Sequence, residues 1–145
     1  MAMTTFRAGL EPGAADLDKE IRRLERKKAA GAELVMTQPI FQTDVLEEVL
    51  RRIAHLELPV LVGVLPLVSY KNAEFLHNEV PGMQIPEEIR ERMRKTPGGE
   101  ASRREGVNIA RDMLFAVRDR VQGAYLMPPL GRYELALEVL DGLKR

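Results

Sequence analysis

Gln38 is the side chain with the most specific chemical capacity. With Thr37 it closes an apolar segment directly before Pro39. A neutral carboxamide donates and accepts at once, which suits a flat heterocycle carrying both N–H and C=O groups. The plainer reading is a strand-end Gln that satisfies loop backbone. Ser69, Tyr70, Lys71 and Asn72 follow a second apolar segment, and they either line a pocket mouth or start a helix. Arg132 follows a third, after Pro128-Pro-Leu-Gly131. A loop Arg there can hold a carboxylate or phosphate, or can simply be solvated. Glu20, Arg23 and Lys27 share one helical flank, with Arg26 further round. That flank reads as a surface ion-pair ladder or as an edge facing phosphate.

Composition removes many other chemistries. The chain has 145 residues, 22 Lys+Arg, 22 Asp+Glu and no Cys. Zero net charge argues against a nucleic-acid partner. Without Cys there are no disulfides, Fe–S clusters, thiol nucleophiles or Cys-based zinc sites. His55 and His77 are the only imidazoles, so a His-rich metal site is excluded too; both are expected at the surface near helix ends. No two Gly have Gly-x-Gly spacing, and there is no phosphate-loop Gly-Lys-Ser/Thr, Gly-x-Ser-x-Gly or His-Glu-x-x-His. A bound nucleotide would be held by side chains and loops. No apolar run suits a membrane span and the opening residues carry no signal-peptide hydrophobic region, so a cytoplasmic location is expected.

These residues must be positioned by alternating strands and helices. Thr4–Leu10 is a strand candidate, followed by a helix over 16–30 in which Leu17, Ile21 and Leu24 make a narrow apolar stripe. Gly31 stops that helix. Residues 33–38 read as a buried strand, and Asp44 with Glu47 as a capping box for the helix that follows. The run Val60–Leu65 is apolar at every position, as in strands covered on both faces. Helices are expected over 70–80, after Pro86, over 100–120 and over 133–143, with a last strand over 123–127. Gly106 lies inside the longest helix and predicts close packing there. Four strand–helix units imply a parallel sheet: half of a (β/α)8 TIM-barrel type of fold, or a doubly wound open sheet.

Ala29 to Phe41 (AAGAELVMTQPIF) resembles a strand segment of methylenetetrahydrofolate reductases. Glu11 to Lys28 is similar to the helix before it, and VGVLP (62–66), IPEEI (85–89) and GVNIA (106–110) follow in the family's order and spacing. The resemblance covers about residues 6 to 145 and is closest to the reductase part of bacterial bifunctional proteins that join it to a homocysteine S-methyltransferase. It implies a flavin-binding (β/α)8 barrel. NADH or NADPH would reduce FAD, and FADH2 would reduce 5,10-methylenetetrahydrofolate to 5-methyltetrahydrofolate, a step of one-carbon metabolism towards methionine.

Carried over by position, Gln38 matches a Gln that hydrogen-bonds the folate pterin, and Arg26 and Lys27 match a basic pair contacting FAD. Glu20 and Arg23 occupy two further flavin positions with altered residue types. Asn72 falls where some relatives have a substrate-side Gln, Leu76 where some have a stacking aromatic, and Arg132 near a substrate-contacting Arg.

A whole barrel takes about 250 residues, so the chain corresponds to strands five to eight. It is expected to be one partial domain over 1–145, a C-terminal half-barrel with extra helices after its third strand. The family's general-acid Glu, and the Asp near flavin and pterin, belong to the first half. No catalytic residue and no metal ligand is therefore nominated. The implied partners are a folate substrate and either the missing N-terminal half-barrel or a second copy, because a cut barrel exposes two sheet edges. The alternatives are a catalytically inactive, self-associating binding or assembly module, or a truncated fragment.

Overall fold

A computed structural model describes residues 7–141. The described elements run β1 (Arg7–Leu10), α1 (Leu17–Ala29), β2 (Leu34–Pro39), α2 (Thr43–Ile53), β3 (Val60–Val64), α3 (Tyr70–Glu79), α4 (Glu87–Arg94), α5 (Gly99–Val117), β4 (Gly123–Leu126) and α6 (Tyr133–Asp141). Short 3₁₀ turns follow α2 and β4. The expected strand positions 4–6 and helix positions 142–143 lie outside the described residues. No described helix is long and apolar enough to cross a membrane.

The local signals act largely as their chemistry dictates. Asp16 caps α1, its carboxylate accepting from Lys19 N–H at 3.0 Å. Gly31, at φ +112°, ends that helix where a side chain would be strained. Ser69 caps α3 by accepting from Asn72 N–H at 3.0 Å. The capping box expected at α2 does not form. Gln42 is the N-cap and makes no side-chain cap bond, Asp44 accepts only from the adjacent Val45 N–H, and Glu47 pairs with Arg120 instead.

All strand pairs are parallel and the sheet order is β1-β2-β3-β4. Sequential order joined by right-handed crossovers puts the helices that pack on the sheet on one face. The reversal of direction that marks a doubly wound sheet does not occur among the described strands. Packing agrees. Ala8, Leu10, Val35, Val60, Val62 and Val64 share one face and enter the buried clusters with α1, α2, α5 and α6. The other face carries Gly9, Met36, Leu61 and Gly123 in register, and none of these joins a buried cluster. This corrects the expectation of a third strand covered on both sides: Leu61 is only half-buried.

A third cluster (Phe41, Leu67, Ala73, Met83, Ile85, Met93, Ile109) seats α3 and α4 beyond the strand ends. His77 belongs here and not to open surface. It is half-buried, and its Nδ1 accepts from Ile85 N–H at 3.1 Å. His55 is exposed as expected.

Candidate functional site

In a parallel α/β sheet the loops after the strands meet the ligand. At that end a cleft of about 460 Å³ opens over β1 and β2. Glu20, Arg23, Lys27 and Gln38 all line it, together with Met36 and Tyr125. Four of the seven site residues expected from sequence thus share one cleft.

The flank of α1 is not a free surface ladder. Glu20 is buried at 7% exposure. Its Oε1 accepts from Glu11 N–H at 3.1 Å, and Arg23 lies 3.5 Å from Oε2. Lys27 Nζ donates to the Gly9 carbonyl at 3.0 Å. The polar row at i, i+3 and i+7 therefore ties α1 to the C-terminal end of β1 and forms a wall of the cleft. Arg26 sits one groove over, in a hollow of about 260 Å³ shared with Arg23, Lys27 and Ala30. Three cations along one open edge suit an anionic group.

Gln38 is aimed by an irregular strand end. The β2–β3 register shifts between Met36 and Pro39, and bulges of this kind re-aim side chains. Thr37, fully buried, spans the irregularity: its hydroxyl accepts from Gly63 N–H at 3.0 Å and donates to the Gln38 carbonyl at 2.8 Å. The result is a Gln38 Oε1 that is buried and has no hydrogen-bond partner. A buried acceptor left unpaired costs about 1–3 kcal/mol, which a ligand N–H or amino group would recover.

Tyr125 was not anticipated. It reaches from β4 across Gly63 and donates its hydroxyl to the Thr37 carbonyl. The signal was available: Tyr125 is two residues from Gly123, hence on the same face, and near the end of its strand. Burial pushes its phenol above the ordinary 10.0. The folded state then holds this proton longer than the unfolded chain does. The stability so contributed is full below about pH 10 and falls as pH rises through the folded value. Urea unfolding across the alkaline range should show a steeper loss in wild type than in Tyr125→Phe, and equal slopes would contradict the burial.

Asn72 and Arg132 are not brought into the cleft. Asn72 Oδ1 accepts from Val68 N–H at 3.2 Å, so its carboxamide helps fix the start of α3. The stretch 69–72 thus begins a helix. Leu76 packs against the third apolar cluster. Arg132 is exposed after the last 3₁₀ turn, where its backbone N–H donates to the Pro129 carbonyl at 2.9 Å.

The cleft can therefore hold a planar, hydrogen-bonding group against Gln38, with anionic parts along Arg23, Arg26 and Lys27. Compared with known families, the chain matches the sequence profile described as methylenetetrahydrofolate reductase over residues 6–144.

Proposed function

Because the chain belongs to the methylenetetrahydrofolate reductase family, we propose that it forms the folate-facing half of a flavin-dependent (β/α)8 barrel. In that barrel 5,10-methylenetetrahydrofolate is reduced to 5-methyltetrahydrofolate at the expense of NADH or NADPH. The observation that carries the reading is Gln38 Oε1, buried and unpartnered in a cleft at the C-terminal end of the sheet. Pterin edges present N–H and amino donors beside ring acceptors, and a carboxamide answers both.

The residues divide the work by chemistry. Gln38 holds and orients the pterin. Arg26, Lys27 and Arg23 face the anionic part of FAD, and the buried Glu20 carboxylate keeps α1 seated on the β1 end so that these cations stay in place. Bound there, FAD supplies the hydride acceptor and donor. Asn72 and Arg132 reach the substrate only if their loops turn inward around it. The proton required at the reacting nitrogen comes from a group of the other half. The whole chain acts as one partial domain. Its sequential, singly wound sheet with an uncovered face is the arc such a barrel needs.

Co-expression with a matching front half tests this. The pair should be yellow and should oxidise NAD(P)H in the presence of 5,10-methylenetetrahydrofolate. Gln38→Ala should lower kcat/KM for the folate at least about tenfold while leaving the flavin spectrum intact. A colourless, inactive pair would contradict the reading.

Among the described residues the outer edges of β1 and β4 have no strand partner, which favours a second reading, a self-associating half-barrel that serves assembly and not catalysis. Light scattering separates the two. A stable dimer indifferent to FAD supports assembly, and a monomer that gains mass only with the front half supports the reductase.

A further inference from the structure

The aim of Gln38 depends on a side chain from the far edge of the sheet. Tyr125 stands on β4, two strands away from β2. Its ring crosses β3 at Gly63, where an added Cβ would lie 2.8 Å from the phenol oxygen and 2.7 Å from the Thr37 carbonyl. Only a residue without a side chain leaves that path open. At its end the phenol donates to the Thr37 carbonyl, beside the register shift between Met36 and Pro39. The Thr37 hydroxyl then bridges to the Gln38 carbonyl at 2.8 Å. The peptides on either side of Gln38 are thus each held through their carbonyl, Thr37 by the phenol and Gln38 by the Thr37 hydroxyl, around the residue whose carboxamide oxygen is buried without a partner.

We propose that Tyr125 is a positioning residue for Gln38: through the Thr37 carbonyl it locks the irregular end of β2 so that the Gln38 carboxamide oxygen is presented to a donor on the ligand. The assignment rests on the reading that Gln38 contacts the folate. Tyr125 shapes the cleft wall, but its hydroxyl is committed to backbone, so its effect on a ligand is exerted through Gln38. A site whose supporting partners are loosened binds less well even when every contacting residue is present.

The test uses the full 145-residue chain and two readouts. The first is the carboxamide ¹³C signal of Gln38, assigned by its disappearance in Gln38→Ala. In Tyr125→Phe, which keeps the ring, this signal should shift or broaden while the circular dichroism spectrum stays as in wild type. The second is affinity for 5-methyltetrahydrofolate. Tyr125→Phe and Gln38→Ala should each weaken it about tenfold, and the double variant should bind no worse than Gln38→Ala alone. An unmoved Gln38 signal, or losses that simply add, would overturn the proposal. If wild type takes up no 5-methyltetrahydrofolate alone, the affinities are read on the pair co-expressed with the front half, where absence of binding defeats the folate reading while the carboxamide signal still decides the role of Tyr125. If Tyr125→Phe does not fold, the wild-type Gln38 signal is followed as pH rises through the phenol's titration. Movement with the phenol supports the lock, and indifference to it overturns it.

Discussion

Gly106→Ala is expected to cost more than about 3 kcal/mol of stability, against an intrinsic gain of about 1 kcal/mol for alanine inside a helix. Gly106 lies within α5, and a Cβ there would overlap the Leu67 carbonyl oxygen and come within 2.6 Å of its carbonyl carbon. The obstacle is backbone, so no rotamer change relieves it. Either α5 moves off the segment after β3, or that segment moves. Leu67 is fully buried in the cluster that seats α3 and α4, so both movements open the interior. Domain stabilities are about 5–15 kcal/mol, and the loss should appear as a large fall in the urea midpoint. Ala101→Gly, at an exposed position of the same helix, is the control for propensity and should cost about 1 kcal/mol. A Gly106→Ala midpoint equal to or above wild type would show that α5 does not approach Leu67 as described.

Gly63→Ala should cost about 3 kcal/mol and should also disable the cleft. Its Cβ would strike the Thr37 carbonyl and the Tyr125 phenol together. If Tyr125 swings away, the Thr37 carbonyl loses its hydroxyl donor. If β2 shifts, Gly63 N–H loses the Thr37 hydroxyl, now at 3.0 Å. Both outcomes leave a buried polar group short of a partner and release Gln38. Loss of stability together with loss of folate affinity is expected. A folded Gly63→Ala protein with unaltered affinity would contradict the link between the bulge and the site.

What could be read from sequence follows from the range of each signal. Periodicity and stop residues act locally, so α1 and its arrest at Gly31 were legible from Leu17, Ile21, Leu24 and one glycine. Gly106 was legible as a close-packing position because alanine would otherwise be the better helix former. Features set by contacts between distant segments were less visible. Asp44 and Glu47 have capping-box spacing, yet the start of α2 is fixed by its packing, and Glu47 turns to Arg120. The run 60–64 is apolar throughout although helices cover only one of its faces; the proposed barrel would enclose the other.

The site divides in the same way. Glu20, Arg23, Lys27 and Gln38 stood out by residue type and helical spacing, and they do converge. Tyr125 is 88 residues from its partner Thr37, and no local pattern announces such a bond. Asn72 and Arg132 stood out by their place after strands and by resemblance, but position after a strand does not fix where a side chain turns, and both stand apart from the cleft.

The central claim is that this sheet is an arc of a closed barrel, with its edges completed by other strands. Hydrogen exchange at Arg7–Leu10 and Gly123–Leu126 tests it most directly, measured on the chain alone and after mixing with a matching front half and FAD. The outward-facing amides of these edge strands should exchange rapidly alone and slow at least about tenfold in the mixture, as ladder bonds form, while the mixture turns yellow. Edge amides that exchange equally fast in both samples would contradict it.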